Sequence, residues 1–310
     1  MYYPYLRGRQ FELIALREYA ECKGDNNNII PIIEPVKKTF NSMKLALPKL
    51  IDNSVKFAMI LNPKVGEIDS SIDIYEELKE LLLLDIWIPA FIVEDDYITL
   101  KHKIEGLGFE TNNQVMIICS EQTDTNNENF KLLISLDAVS YVVSDDNRSL
   151  KSFVHSLGKI IIRLDDKFKG AKRNSDYLTM REEKFTEEHY YFSEDNYEGF
   201  SDYTPIISSF IEGGGAPYAV AIHLTYLKTP EEVWIRHFTS VSNSDRANIQ
   251  GKFAQALTKA VAFLDEQDIH TNASEELRVY YRDSKYPGLG MSKKISIKHH
   301  LELVNNSVNR

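Results

Sequence analysis

The chain is poor in cysteine and has no long apolar run. It holds two cysteines, Cys22 and Cys119, and no C-x-x-C pair, so it has neither a disulfide framework nor a zinc knuckle. Its apolar runs, such as the one around Leu81–Leu84, are far too short to cross a bilayer. The first residues contain no apolar stretch after a basic start and therefore predict no signal peptide. These absences predict a cytoplasmic protein, in a reducing compartment and away from the membrane.

Two phosphate-binding motifs are missing as well, because the chain contains neither G-x-G-x-x-G nor G-x-x-x-x-G-K-[ST]. The formal net charge of −10 at pH 7 disfavours general nucleic-acid binding, since an acidic surface repels a phosphate backbone. Hydrophobic residues, in contrast, make up 43% of the 310 residues, which is enough for a sizeable buried core. The composition as a whole is that of an ordinary globular protein.

Short apolar runs alternate with segments of helical period along most of the chain. There are eight such runs, and most of them are apolar on consecutive residues, which is typical of strands buried on both faces of a parallel sheet. The runs are Tyr2–Leu6, Ile29–Pro35, Phe57–Asn62, Trp87–Glu94, Val115–Glu121, Val139–Asp145, Ile160–Asp165 and Phe200–Ile207. Alternation with short links predicts right-handed crossovers and an α/β fold, a TIM-like (β/α)8 barrel. An open, doubly wound sheet is the alternative interpretation.

The pattern changes after the eighth run. Two β-rich runs, Pro217–Tyr226 and Val233–Phe238, predict a β-hairpin, and Ala247–Leu264 has a clear helical period. We expect residues 1–210 to form the barrel core. Residues 211–310 should form the hairpin and C-terminal helices, packed on the barrel within one structural domain.

The predicted register of the hairpin brings His223 and Arg236 together. If Tyr226 pairs with Val233 across the loop, His223 stands opposite Arg236 on one face of the hairpin. The neighbouring cation would lower the pKa of the histidine. Such a pair suits either an anionic ligand or the acidic link Asp176–Asp202, and we expect it to bind the acidic link.

Polar side chains follow the predicted barrel strands where each strand ends. In a barrel of this kind the ligand site forms at the carboxyl ends of the strands. The candidate residues there are Arg7, Arg9, Glu34, Asn62, Lys64, Glu94, Arg163, Asp165, Asp202 and Tyr203. The hairpin adds His223 and Arg236 as candidate ligand-binding residues. Strand ends are also polar simply because they meet water, which is the plainer interpretation of the set.

Three of these residues are the candidates for catalysis. Glu34 and Glu94 directly follow buried runs and should lie inside the mouth of the barrel, and Lys64 is placed to pair with either. Burial among opposite charges shifts pKa values toward neutrality, as acid–base chemistry needs. The same residues would also suit a buried ion-pair network. The carboxylates of Glu34 and Glu94, with those of Asp165 and Glu121, are oxygen ligands of the kind that Mg²⁺ or Ca²⁺ prefers. No H-x-H or H-E-x-x-H accompanies them, so we do not expect a zinc hydrolase. We assign no metal ligand and leave a magnesium cofactor open.

Several short motifs resemble one known family. They are Pro4-x-Leu6-Arg7-Gly8-Arg9-Gln10-x-Glu12, Pro31-x-x-Glu34-Pro35, Arg173-Asn174-x-x-Tyr177, Gly199-Phe200-Ser201-Asp202-Tyr203, Ala221-Ile222-His223-Leu224, Arg236-His237-Phe238 and Pro287-Gly288-Leu289-Gly290. Together they make the chain similar to the phage beta protein-like family of bacteria and phages. The resemblance implies a phage-related or mobile genomic context. It implies no reaction and no catalytic residues, because the family has no established activity.

Two functions of different classes fit these features, and the sequence leaves open whether the protein is an enzyme. The first is a recognition component of a bacterial phage-defence or mobile-element module, which binds a protein partner or a small anionic effector through the barrel mouth or the charged link. The alternative is a hydrolase or lyase acting on a phosphorylated or nucleotide-like molecule. In that interpretation the anion is held by Arg7, Arg9, Lys64 and Arg163, and Glu34 and Glu94 serve as base or metal ligands. A barrel with a purely structural role is a third interpretation.

Overall fold

The structure is a computed structural model that describes residues 1–69, 71–82, 86–106, 114–213 and 215–308. The strands are β1 Tyr5–Leu6, β2 Ile32–Ile33, β3 Phe57–Ile60, β4 Trp87–Val93, β5 Val115–Cys119, β6 Val139–Ser144, β7 Ile160–Leu164, β8 Glu182–Thr186, β9 Gly199–Ser201, β10 Ala221–Thr229 and β11 Glu232–Thr239. The helices are α1 Gln10–Cys22, α2 Asn41–Asp52, α3 Ile74–Leu78, α4 Tyr97–Gly106, α5 Glu128–Ile134, α6 Arg148–Ser156, α7 Glu188–Tyr191, α8 Ile249–Glu266, α9 Asn272–Arg282 and α10 Leu289–Ser307.

The residues group into two compact units. The barrel unit comprises Met1–Arg9, Asn27–Asp165 and Tyr191–Asp202. The second unit comprises Gln10–Asn26, Asp166–Tyr190 and Tyr203–Arg310. Helix α1 therefore belongs to the second unit, although it lies between β1 and β2 in sequence.

The barrel unit contains a parallel sheet in the order β1-β2-β3-β4-β5-β6-β7-β9. The sheet returns on itself, because Tyr2 bridges both Ile29 and Phe200 and the backbone N–H of Tyr3 donates to the Phe200 carbonyl at 2.8 Å. Every residue of β4 is buried, as expected for a strand covered on both faces. The predicted TIM-like barrel is thereby confirmed.

The last barrel strand is shorter than the sequence predicts. The predicted run Phe200–Ile207 extends past the observed end of β9 at Ser201. Thr204 has a φ of 57°, in the left-handed region, so the chain cannot continue as an extended strand there. The prediction was therefore wrong for the part of the run that follows Ser201.

The second unit contains an antiparallel sheet in the order β10-β11-β8. The predicted hairpin is confirmed, but its predicted register is wrong by one residue. Tyr226 pairs with Trp234, Leu224 pairs with Arg236, and His223 pairs with His237. His223 and Arg236 consequently lie on opposite faces of the sheet.

Two local features explain the shift in register. The strands are joined by the two residues Pro230 and Glu231, a much shorter connection than the predicted loop. The pairing also shifts between Leu227 and Thr229, where a bulge absorbs one residue of β10. A shift of one residue moves every side chain of a strand to the opposite face of the sheet. The short connection and the bulge determine this shift.

Strand β8 comes from the acidic link that follows the barrel strand β7. Its residues pair with β11, so that Glu183 stands beside Ile235 and Glu182 beside Arg236. The strand reads Glu-Glu-Lys-Phe-Thr, which lacks an apolar run, so periodicity does not predict a strand there. The link is therefore part of the sheet and not an open loop.

The second unit packs both faces of this sheet. On one face Ile222, Leu224 and Tyr226 join an apolar cluster with Phe253 and Leu257 of α8. A second cluster on the other face contains Phe168, Tyr177, Phe185, Val233 and Ile235. The predicted C-terminal helices are confirmed as α8, α9 and α10. None of the helices in the described part of the chain is both long and apolar enough to cross a bilayer.

Candidate functional site

Glu34 lies just after β2 in the barrel unit and is 2% exposed. One carboxylate oxygen, Oε2, accepts a hydrogen bond from the Tyr5 hydroxyl at 2.8 Å and lies 3.6 Å from Nε of Arg7. The other, Oε1, accepts from the backbone N–H of Lys64 at 3.0 Å. Donors from two neighbouring segments thus engage both oxygens, which is how a buried carboxylate is kept in place.

Lys64 and Glu94 form an ion pair beside this carboxylate. Nζ of Lys64 lies 2.7 Å from Oε2 of Glu94, and the two side chains are 37% and 31% exposed. The predicted convergence of Glu34, Lys64 and Glu94 at the carboxyl end of the strands is confirmed. An ion pair exposed to this extent contributes little stability, so it remains open to exchange partners with a ligand.

The segment that carries Lys64 is held from a second side by Gly66. Gly66 has a φ of 96°, and a Cβ added there would lie 2.3 Å from the carbonyl oxygen of Val36. Only glycine permits so close an approach of two backbones at this φ. The backbone of Lys64 is therefore fixed by Glu34 and by the contact of Gly66 with Val36.

A cavity of about 180 Å³ lies at the ends of β3 and β4, with Lys64 and Glu94 among its lining residues. Asn62 also lines it, but the Asn62 amide is committed: it donates to the Ile92 carbonyl at 2.7 Å and accepts from the Ile92 N–H at 2.8 Å. Asp96 contributes a negative charge, since hydrogen bonds from Thr99 lower the pKa of its carboxyl. The volume is below the roughly 300 Å³ of pockets for drug-sized ligands, so the cavity fits a smaller molecule.

The remaining predicted residues of the barrel unit have other partners. Nη1 of Arg163 lies 3.2 Å from Oδ2 of Asp195, and Oδ1 of Asp202 accepts from the Tyr2 hydroxyl at 2.6 Å. Asp165 is buried, and its backbone N–H donates to the Ser201 carbonyl at 2.7 Å. Two further candidates are partly exposed: Arg9 just after β1 and Tyr203, which belongs to the second unit.

Arg236 of the second unit pairs with the acidic link without His223, so the predicted joint site of His223 and Arg236 was wrong. Its Nη1 lies 3.3 Å from Oε2 of Glu182, a carboxylate that also accepts from the Tyr226 hydroxyl and from Lys228. The guanidinium carbon lies 4.5 Å from the ring centroid of Phe263, a cation–π contact. These contacts occupy Arg236 within its own unit, on the face of the sheet opposite to His223.

His223 has a partner that the sequence did not reveal. Its Nδ1 lies 2.8 Å from Nδ1 of His237, and Nε2 of His237 lies 3.2 Å from Oε1 of Glu183. The Tyr177 ring packs against both imidazoles, with centroids 4.8 Å and 4.2 Å away. Desolvation by the surrounding protein lowers the pKa of His223 to about 3 and that of His237 to about 4, so both rings are neutral at pH 7.

A turn at Pro230 and Glu231 with one bulged residue would have predicted this histidine pair. The sequence points to such a turn only weakly, because Pro-Glu is not among the usual two-residue hairpin turns. The pair was therefore missed for the same reason that the register was wrong.

Further histidines are buried within the second unit. Nε2 of His299 donates to the Thr225 carbonyl at 2.9 Å and its Nδ1 accepts from the Thr271 hydroxyl at 2.8 Å. Nδ1 of His300 lies 3.0 Å from the Thr225 hydroxyl. These adjacent side chains both contact Thr225, His299 at its carbonyl and His300 at its hydroxyl. In the described part of the chain, no group of three or more His, Cys, Asp or Glu residues is arranged to hold a metal ion.

No protein-family model matches the chain, and neither does any curated protein. The resemblance of the short motifs to the phage beta protein-like family therefore stays a prediction. Two arrangements are the candidates for function: the carboxyl end of the barrel strands, with Glu34, Lys64 and Glu94, and the histidine pair of the second unit.

Proposed function

We propose that the barrel unit is a recognition module that binds a small polar ligand beside the ends of β3 and β4. The observation that carries this proposal is the Lys64–Glu94 pair. It presents an ammonium and a carboxylate side by side on the wall of a small cavity, on a segment whose backbone is fixed. Preorganised charges of this kind favour binding, because little conformational entropy is lost when the ligand arrives.

The state of Glu34 favours binding over catalysis at this end of the barrel. A general base must be within reach of a substrate proton and able to accept it. Both oxygens of Glu34 already accept hydrogen bonds from Tyr5 and Lys64, and the residue is buried. Glu34 therefore serves to position Lys64, and the exposed pair Lys64–Glu94 meets the ligand.

The paired charges define the class of ligand. A molecule that carries an anionic and a cationic group can replace the ion pair with two new contacts. Its anionic group then binds Lys64, and its cationic group binds Glu94. Asp95 and Asp96 on the same wall favour the cationic group. A small zwitterion, such as a free amino acid, meets these requirements of charge and size.

The resemblance to the phage beta protein-like family supports a biological context for this binding. In that context the protein is a recognition component of a bacterial phage-defence or mobile-element module, and the ligand is a small effector or the charged end of a protein partner. The alternative hydrolase or lyase is less favoured, because Arg163, one of its proposed anion-binding residues, is paired with Asp195 and Arg7 lies beside Glu34.

Ligand-observed NMR with a panel of free amino acids tests the proposal. The site variant is Lys64→Met/Glu94→Gln. The matched control is Lys101→Met/Glu105→Gln, which removes an ion pair of the same 2.7 Å length on α4. We expect saturation-transfer signals from zwitterionic ligands with the wild type and the control, and none with the site variant. No signal with the wild type, or equal signals with both variants, contradicts the proposal.

A further inference from the structure

Three side chains form a hydrogen-bonded series across the sheet of the second unit. The series runs from Glu183 on β8, through His237 on β11, to His223 on β10. The rings of His223 and His237 face each other because their residues are paired across the two strands. This series belongs to the second unit, whereas the site proposed above belongs to the barrel unit.

The carboxylate at one end fixes the tautomers of both imidazoles. An ionised carboxylate can only accept, so Nε2 of His237 carries a proton and donates to Glu183. A neutral imidazole has one N–H, so Nδ1 of His237 is an acceptor. Nδ1 of His223 must then be the donor in the 2.8 Å contact between the rings. Nε2 of His223 is left with a lone pair.

The middle residue of the series, His237, is closed to solvent, and the residues at its two ends, Glu183 and His223, are partly exposed. The His237 side chain is fully buried, whereas the Glu183 side chain is 32% exposed and His223 is partly exposed. Phe168 and Tyr177 pack against both imidazole rings. Nε2 of His223 makes no hydrogen bond to any residue that the structure describes. A series closed to water in the middle conducts protons only along its own hydrogen bonds.

We propose that Glu183, His237 and His223 form a proton relay, and that Nε2 of His223 is a general base for a hydroxyl group or water molecule. The arrangement follows the rule that a catalytic base is oriented by a further group behind it. Here two groups stand behind the base, His237 and Glu183. This role goes beyond the recognition proposed for the barrel unit and does not depend on it.

The relay consists of three proton transfers, and together they conserve protons and charge. Nε2 of His223 takes the proton from the O–H of the bound molecule, whose electron pair stays on the oxygen. The Nδ1 proton of His223 passes to Nδ1 of His237, and the Nε2 proton of His237 passes to the Glu183 carboxylate. Each imidazole ends neutral with one proton, in the opposite tautomer. Low histidine pKa values favour this route, because neither ring has to rest as a cation. Burial also raises the pKa of Glu183, which suits it to hold the proton.

Histidine-selective nitrogen NMR at neutral pH tests the tautomers. The wild type should show His237 protonated at Nε2, His223 protonated at Nδ1, and a scalar coupling between the two Nδ1 atoms. In Glu183→Gln the amide can donate as well as accept, so we expect a second population of His223 protonated at Nε2. Glu182→Gln is the matched control, because Glu182 binds Tyr226, Lys228 and Arg236 and neither histidine.

Acylation by diethyl pyrocarbonate tests whether the lone pair is available, since this reagent attacks unprotonated imidazole nitrogens. Site-resolved mass spectrometry of the native, full-length protein should find His223 modified, with the exposed His102 as the internal reference. The rate at His223 should fall several-fold in Glu183→Gln and stay unchanged in Glu182→Gln. Three results overturn the relay: His223 protonated at Nε2 in the wild type, no acylation of His223 while His102 reacts, or equal rates in the two variants. None of these results bears on amino-acid binding by the barrel unit.

Discussion

The barrel unit and the second unit keep their polar groups in different places. Strands β4 and β5 of the barrel unit are apolar along their length, and charges such as Glu34, Lys64 and Glu94 follow the strand ends. In the second unit, in contrast, Lys294, His299 and His300 on α10 are each 1% exposed or less. Apolar burial is non-directional, whereas a buried polar group must find its partner. The barrel unit should therefore respond to lost volume, and the second unit to lost partners and to pH.

The largest effect is expected in the barrel core, from Phe91→Ala on β4. Phe91 is fully buried, and its truncation leaves a cavity that costs about 4 kcal/mol of unfolding free energy. Hydrogen exchange resolved by peptide should show reduced protection of barrel strands at every pH from 5 to 8. The change should be the same at each pH, because no titrating group is removed. A loss of protection that varies with pH would contradict the division between the units.

The next largest effect is expected from Lys294→Ala in the second unit. Nζ of Lys294 lies 2.9 Å from a carboxylate oxygen of Glu18 and 2.6 Å from one of Glu276. Its removal leaves two carboxylates facing each other without their shared cation, at a cost of about 3 kcal/mol. Lys131→Ala is the control, since Lys131 pairs with an exposed Glu128 and its loss should cost less than about 1 kcal/mol. Equal midpoints of urea unfolding for the two variants would show that Lys294 is not an essential partner.

A smaller effect is expected from pH, and it should appear in the second unit. Burial lowers the pKa of His299 to about 4, and those of His223 and His237 to about 3 and about 4. Unfolded histidine titrates near 6.5, so as the pH falls the unfolded state binds protons first. The stabilisation is complete above pH 6.5 and is lost as the pH falls toward 4. Between pH 6.5 and 5, where carboxylates are still ionised, exchange protection should fall in α10 before it falls in the barrel strands.

His299→Gln sharpens the pH comparison. A glutamine at this position cannot titrate, and its amide can still donate to the Thr225 carbonyl. The variant should therefore show a flatter loss of α10 protection between pH 6.5 and 5 than the wild type. His102→Gln on the exposed face of α4 serves as the control. An unchanged slope in His299→Gln would mean that other groups set the acid sensitivity.

The smallest effect on stability is expected from Lys64→Met at the candidate site. The ion pair of Lys64 with Glu94 is partly exposed, so its loss should change the unfolding free energy by less than about 1 kcal/mol. Binding of zwitterions should nevertheless be lost. A large destabilisation would instead identify the pair as structural and would weaken the proposed recognition role.

The barrel could be predicted because strands buried on both faces leave a plain pattern of consecutive apolar residues. Convergence of Glu34, Lys64 and Glu94 followed from the same pattern, since parallel strands place their ends on one side. The hydrogen bonds that hold Glu34 could not be predicted, because one of their donors is the backbone N–H of Lys64, and a backbone group carries no sequence signal. Strand β8 was missed for a related reason: its polar residues are held in the sheet by pairing with β11.

The histidine pair shows how one local detail can hide a site. The sequence placed His223 on the hairpin correctly but set it opposite Arg236. The difference arises from a short turn and a bulge, each a matter of single residues. Hydrophobic periodicity predicts where whole strands lie, but it does not predict shifts of one residue in their register.

Helix α1 has a consequence for the order of events when the chain is made. Its ion-pair and hydrogen-bond partners on α10, Lys294, Lys298 and Glu302, follow it in the chain by 276 to 280 residues. Domains usually fold as they are completed during synthesis, but this helix must wait until α10 has been made. Until then its apolar face, which includes Leu13, Leu16 and Tyr19, has no α10 to cover it. The nascent chain is thus open to a chaperone, or to a neighbouring copy, until α10 emerges.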